Sequence, residues 1–210
     1  TASNDHRLGA NEAPPAILSI FLGSELTDTF EAIAGGSSLK SRLSQLHIGV
    51  DVIPPIPKHS GDRNRTSPMA FTGNRFEFRA VGSSLSIGGP LVVMNAIMSE
   101  SLTEFADKLE AKKPKTPEAL GKAITGIIKA VWKEHSNVIF NGDGYSDDWH
   151  KEAEKRGLPN LKTSADALPE IQSKATKALF KKFKILSPRE TESRYEVYAE
   201  QYISSVRVES

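Results

Sequence analysis

One eight-residue stretch, Thr-Gly-Asn-Arg-Phe-Glu-Phe-Arg, alternates charged and aromatic side chains with a period of two. In a β-strand, successive side chains point to opposite faces. The pattern therefore predicts one row of Arg75, Glu77 and Arg79, with neighbouring charged groups about 6.6 Å apart. It places Phe76 and Phe78 on the other face, where we expect them to be mostly buried and to support the charged row.

A carboxylate between two guanidinium groups could do chemistry. Such a carboxylate can bind a divalent metal ion, while the arginines hold phosphate or carboxylate oxygens. The alternative is a surface strand with exposed ion pairs, which is common in sheets that have one face in water. The pattern taken by itself leaves both interpretations open.

Two motifs in a fixed order carry a resemblance to a known family. Residues 4–15 read NDHRLGANEAPP, and residues 62–68 read DRNRTSP just before the Arg-x-Glu-x-Arg row. Together they resemble the type III glutamine synthetases, in which such a row lies at the end of the catalytic barrel. The resemblance runs to the end of the chain. It implies an α+β fold in which part of the catalytic β-barrel is followed by a mostly helical C-terminal region.

The resemblance also implies an activity, the ATP-dependent ligation of ammonia to glutamate through a γ-glutamyl phosphate. It implies Mg²⁺ or Mn²⁺ as cofactor, with Glu77 as a ligand of the ion nearer the nucleotide. Arg75 would contact the phosphates of ATP, and Arg79 would act as a catalytic and glutamate-binding residue. Arg7 would contact both ATP and glutamate and stabilise the charge being transferred. His6 takes no metal role, because the family's histidine ligand lies upstream of these motifs.

Some residues depart from the family's shorter members. Glu12 stands where those enzymes have a second nucleotide-binding arginine, and Thr72 replaces a basic residue of some bacterial relatives. The connection over residues 80–90 is also longer than theirs. The loop over residues 141–148 has acidic and amide side chains, but it lacks the ligand spacing and the terminal glutamate of an EF-hand. We interpret it as a turn, and we assign no role to Glu12.

The composition limits the classes of function. The chain has 210 residues, 38% hydrophobic and 25% charged, which is typical of a soluble globular protein. Its net charge of +1 argues against a nucleic-acid partner, and no apolar run approaches the roughly 20 residues that span a membrane. The lack of cysteine excludes disulfides, thiolate catalysis and cysteine zinc sites.

The family implies a cytoplasmic homo-oligomer of stacked hexameric rings, a dodecamer. Because the sequence opens directly on a motif without an initiator methionine, we expect a piece of a longer chain that is inactive by itself. Without its barrel neighbours, that piece would expose the aromatic face of the charged strand. Another class of function is a non-catalytic glutamine-synthetase-like assembly or interaction module. A guanidino kinase with a related barrel would need a different substrate loop.

The elements that must position the charged row are predicted from hydrophobic periodicity and from the glycines and prolines that interrupt it. In the first part we expect a helix from Ala16 to the Gly35-Gly36 pair, a short strand over residues 47–53 and a loop over 54–68. Glycine and serine residues after the charged row then predict a turn-rich connection that ends at Pro90. A boundary there would separate residues 1–90, the catalytic part, from residues 91–210, a helical bundle with its own core.

Within the helical part, capping signals place the helix starts. An amphipathic helix is predicted over residues 91–109, and Thr116 should cap a second helix that runs through Trp132. Ser146 should cap a shorter helix that ends at Gly157. A further helix is expected over 167–183. The last helix should begin at a Ser-Pro-Arg-Glu capping box and present an aromatic seam of Tyr195, Tyr198 and Tyr202.

Overall fold

The computed structural model describes residues 6–7, 10–11, 16–37, 45–46, 56–57, 61–62, 66–80 and 86–209. The predicted strand over 47–53 lies outside them. The described chain is mostly helical with a small amount of sheet. It divides into two compact units that interleave in sequence: one contains residues 17–79 and 115–159, and the other contains residues 80–114 and 160–210 together with the N-terminal residues 1–16.

The strands are short and are numbered in chain order: β1 (His6–Arg7), β2 (Ala10–Asn11), β3 (Ile20–Phe21), β4 (Gln45–Leu46), β5 (Ile56–Pro57), β6 (Met69–Phe71) and β7 (Phe76–Phe78). The α-helices are α1 (Gly23–Gly35), α2 (Gly88–Lys112), α3 (Pro117–His135), α4 (Asp147–Lys155), α5 (Ser164–Ala167), α6 (Lys174–Lys182) and α7 (Pro188–Glu209). Two short 3₁₀ helices cover residues 136–138 and 168–172. No helix in the described part of the chain is long and apolar enough to cross a membrane.

In the part of the chain that the structure describes, the sheet that carries the charged row has three strands in the order β3-β6-β7. Strand β6 pairs in parallel with β3 and antiparallel with β7. A tight turn joins β6 to β7, in which the N–H of Thr72 donates to the Arg75 carbonyl at 2.8 Å and Gly73 has a φ of 99°. The eight-residue stretch over residues 72–79 is therefore not strand throughout. Its first half forms the turn, and regular strand pairing is confined to β7.

The start of α1 also differs from the prediction. Ile17 and Ser19 are buried whereas Leu18 is 67% exposed, which is the alternation of an extended segment. The helix begins at Gly23, whose positive φ of 76° turns the chain out of β3. The predicted end is confirmed, because Gly36 adopts the left-handed conformation that closes the last turn.

The first unit has two packed regions. Helix α3 lies against α1, and the rings of Phe30 and Trp132 stack with centroids 5.3 Å apart. The second region is built on Ile17, Trp149 and Ala153, with Phe140 and Leu158 packed around them. Because α3 and α4 pack with residues from before position 80, the prediction of a self-contained bundle over residues 91–210 is wrong for 115–159. The division at residue 90 into a catalytic and a helical part stays a prediction.

The helix starts predicted at Thr116, Ser146 and Ser187 are confirmed by side-chain caps. The hydroxyl of Thr116 accepts from the N–H of Ala119, and the hydroxyl of Ser146 accepts from the N–H of Trp149. The helix predicted over 167–183 is interrupted, since Ser173 caps α6 from within that range. Helix α2 begins at Gly88, before the predicted start. Several of its large apolar side chains are exposed: Leu91, Val92, Val93, Ile97, Met98 and Leu102.

Candidate functional site

The β6–β7 hairpin positions the charged row. Arg75 ends the turn, Glu77 lies in the middle of β7, and Arg79 follows the strand. The backbone N–H of Arg79 donates to the carbonyl of Pro68 at 2.7 Å, which continues the hairpin pairing beyond β7. Backbone hydrogen bonds therefore hold the hairpin at both ends of the row.

The three charged side chains meet as the sequence predicts. Nη2 of Arg75 lies 3.0 Å from Oε1 of Glu77, and Nε of Arg75 donates to the same oxygen at 3.3 Å. Nη2 of Arg79 donates to the other carboxylate oxygen, Oε2, at 3.2 Å. The predicted grouping of one carboxylate between two guanidinium groups is confirmed, although the functional roles of these residues stay predictions.

A fourth charged residue extends the row. Nη1 of Arg79 lies 2.8 Å from Oδ2 of Asp62, whose side chain is 4% exposed. The same oxygen accepts from the backbone N–H of Ser67 at 3.2 Å. Sequence reasoning placed Asp62 in a family motif but gave it no role. It lies 17 positions before Arg79, too far for a strand or helix periodicity to connect the two residues.

Exposure falls steadily along this four-residue row. The side chain of Arg75 is 69% exposed, that of Glu77 34%, that of Arg79 16%, and that of Asp62 4%. The hydrogen bonds from Arg75 and then from Arg79 lower the pKa of the Glu77 carboxyl below its ordinary value. Glu77 is therefore ionised near neutral pH, the state that a metal ligand requires.

The aromatic face differs from the prediction. Phe76 is 51% exposed and Phe78 is 42% exposed, so the expectation that both are mostly buried is wrong. Among the described residues, β7 lies at the edge of the three-stranded sheet. Alternation decides which side chains share a face, but burial requires a second layer over that face. The exposed face agrees with the expectation for the strand without its barrel neighbours.

The hydrogen bonds of Glu77 show how much of its carboxylate is left to bind a metal ion. A carboxylate offers about four lone-pair sites, and the two arginines use three of them. Mg²⁺ typically takes one or two protein carboxylates and completes its shell with water and substrate phosphates. Glu77 therefore fits as a single ligand. Within the described residues, no group of three or more histidine, aspartate, glutamate or cysteine side chains could hold a metal.

The remaining candidates have structural contacts or lie outside the described side chains. Arg7 is described by its backbone, which pairs with Ala10 between β1 and β2, and its role stays a prediction. Glu12 lies outside the described residues. The hydroxyl of Thr72 donates to the carbonyl of Arg75, so this residue shapes the turn. In the 141–148 loop, Oδ1 of Asp143 accepts from the N–H of Tyr145, which agrees with the turn interpretation.

Comparisons with known proteins agree with the motifs. A family model described as the glutamine synthetase C-terminal domain matches residues 123–210. The type-3 glutamine synthetase of Dictyostelium discoideum is 47% identical over 99% of this chain. Over nearly its whole length, the sequence is therefore similar to a type III glutamine synthetase. Glutamine synthetases of Bacteroides fragilis and Butyrivibrio fibrisolvens match all of it at 42% and 39% identity. The chain spans 28% to 29% of the length of these relatives.

Proposed function

We propose that this chain works within a longer enzyme that ligates ammonia to glutamate at the expense of ATP, through a γ-glutamyl phosphate. The observation that carries the proposal is the ion-paired row of Arg75, Glu77 and Arg79. It lies in a chain that glutamine synthetases match over nearly all its residues. The β3-β6-β7 sheet would be part of the catalytic barrel. The enzyme would act in the cytoplasm as a dodecamer of stacked hexameric rings.

Phosphoryl transfer depends mainly on positioning and on neutralising charge. In the proposed site, Arg75 is exposed and can turn toward the phosphates of ATP. Arg79 is more buried and is held on two sides, which suits it to fix the glutamate carboxylate that becomes phosphorylated. Arg7 would stabilise the charge in transit, a role worth about 10³ to 10⁵ in rate where arginines perform it.

Glu77 would hold Mg²⁺ or Mn²⁺ together with ligands outside the described residues. A divalent ion held there would supply positive charge that neutralises the phosphate and carboxylate oxygens of the substrates. The hydrogen bonds from both arginines keep Glu77 ionised and fix the direction of its oxygens. With the other ligands in the rest of the enzyme, we expect this segment to be inactive by itself.

The test is the variant Glu77→Ala in the full-length protein. We expect metal-dependent glutamine formation to be lost while the circular dichroism spectrum is kept, because the variant removes the carboxylate proposed to hold the metal and leaves Arg79 paired with Asp62. Glu154→Ala, an exposed acid on α4, serves as the matched control. Near-normal activity of the Glu77 variant at ordinary metal concentrations would overturn the assignment.

A non-catalytic assembly or interaction module is the second candidate. The exposed apolar side chains of α2, among them Leu91, Ile97 and Leu102, favour it, because such surfaces often pack against another protein. The intact charged row argues for catalysis instead. A full-length protein that assembles but neither hydrolyses ATP nor forms glutamine would support the module.

A further inference from the structure

We propose that Asp62 is a positioning residue that holds Arg79 in the orientation needed to meet the glutamate carboxylate. The proposal rests on the proposed function, and it concerns a residue outside the Arg-x-Glu-x-Arg row. The guanidinium of Arg79 is shared by two carboxylates: Nη1 contacts Asp62 at 2.8 Å and Nη2 contacts Glu77 at 3.2 Å. Because the group is planar and rigid, two contacts on different nitrogens restrict its rotation.

Asp62 is suited to this task because it is itself fixed. Its Oδ2 also accepts from the backbone N–H of Ser67, in a buried segment just before β6. The neighbouring Thr66 is equally buried, and its hydroxyl accepts from the N–H of Gly144 at 2.9 Å. A methyl group at Gly144 would lie 2.7 Å from the carbonyl oxygen of Thr66. The backbone at Thr66 and the backbone at Gly144 are therefore in close contact. The carboxylate of Asp62 is therefore held by a hydrogen bond from a buried and closely packed segment.

The charges explain why a second carboxylate is needed. Asp62, Arg79, Glu77 and Arg75 alternate in sign along the row. Without Asp62, Arg79 would keep Glu77 as its ion-pair partner. Its guanidinium, the most buried of the row, could then turn to contact both carboxylate oxygens of Glu77. That would move Arg79 away from its position and would occupy the carboxylate proposed to bind metal. The other N–H groups of Arg79 are left for a bound ligand when the two carboxylates share it.

The experiment uses Asp62→Ala and Asp62→Asn in the full-length protein, with steady-state kinetics and calorimetric binding of glutamate. We expect Asp62→Ala to raise KM for glutamate about 10-fold to 100-fold, because small misplacements of a binding group have effects of this size. KM for ATP should change much less. Asp62→Asn keeps a hydrogen-bond acceptor, so it should show a smaller rise and remain folded if the alanine variant does not.

Glu152→Ala is the matched control, since it removes an ion pair to another partly buried arginine, Arg156, far along the chain from the row. A folded Asp62 variant with unchanged KM for glutamate, or with equal rises for both substrates, would overturn the positioning role. Wild-type protein that neither forms glutamine nor binds glutamate would overturn the proposed function and this inference with it. Wild-type activity with unaffected Asp62 variants would overturn the inference and leave the function standing.

Discussion

The side-chain oxygen of Asn141 accepts a hydrogen bond from the backbone N–H of Gly23 at 2.9 Å, and another from Leu22 at 3.0 Å. Its amide nitrogen donates to the hydroxyl of Thr27 at 2.9 Å. Asn141 thus satisfies N–H groups at the start of α1 that a helix leaves without internal partners. The helix has no side-chain cap from its own preceding residue, Leu22, so the cap comes from a distant loop.

We predict that Asn141→Ala destabilises the first unit by about 1–3 kcal/mol, because it leaves two backbone donors without their acceptor. Urea unfolding followed by tryptophan fluorescence would measure the change. Asn137→Ala is the control, since the Asn137 side chain makes one long hydrogen bond of 3.4 Å to Arg156. Equal effects of the two variants, or stabilisation of the wild type by calcium, would contradict the capping role.

Arg79→Lys in the full-length protein should lower kcat/KM for glutamate at least about tenfold. The ammonium of lysine is a point charge and cannot contact Asp62, Glu77 and a substrate carboxylate with one planar fork. Kinetics with varied glutamate would measure this. Arg194→Lys, on the exposed surface of α7, is the control and should leave kcat/KM unchanged. An unchanged constant in Arg79→Lys would indicate a structural arginine.

The start of α7 should make stability depend on pH. The backbone N–H of Ser187 donates to Oε2 of Glu190 at 2.7 Å, and this bond lowers the pKa of the Glu190 carboxyl. A carboxyl whose pKa is lower in the folded state stabilises the fold above its unfolded pKa. That contribution is lost as the pH falls through the folded value. The loss should therefore begin near pH 4.5, the ordinary value, and continue below it.

We predict that Glu190→Gln weakens this pH dependence, because glutamine keeps the capping hydrogen bond without titrating. Thermal unfolding at a series of pH values between about 3 and 7 would compare it with wild type. Glu192→Gln, two residues further along α7, controls for the loss of one charge. If wild type and Glu190→Gln lose stability in parallel as the pH falls, the capping bond does not carry the effect.

Local signals in the sequence predicted local structure well. The caps at Thr116, Ser146 and Ser187 were predictable because the capping residue and its partner lie within one helical turn. The grouping of the charged row was predictable because its residues are two positions apart and therefore share one face of a strand. The contact of Asp62 with Arg79 and the cap by Asn141 were not, since they join residues that are distant in the chain.

Burial was harder to predict than periodicity. The alternation in β7 and the apolar stripe of α2 each define a face, yet Phe76, Phe78 and Leu102 are exposed in this chain. A pattern identifies which side chains can be buried together, whereas burial depends on what packs over them. The predicted start of α1 is wrong because a short apolar run fits a strand and a helix equally well.

The same exposure leads to the last prediction, on the isolated 210-residue chain. We expect backbone amides of α3 to exchange with solvent more slowly than those of the β6–β7 hairpin. Ala123 and Ile127 are buried where α3 packs in the first unit, whereas β7 is at the sheet edge among the described residues and has both phenylalanines exposed. Segments with few buried apolar contacts open at lower free energy. Hydrogen exchange with mass spectrometry would compare residues 117–133 with residues 69–78, and equal protection of the two segments would contradict this order of stability.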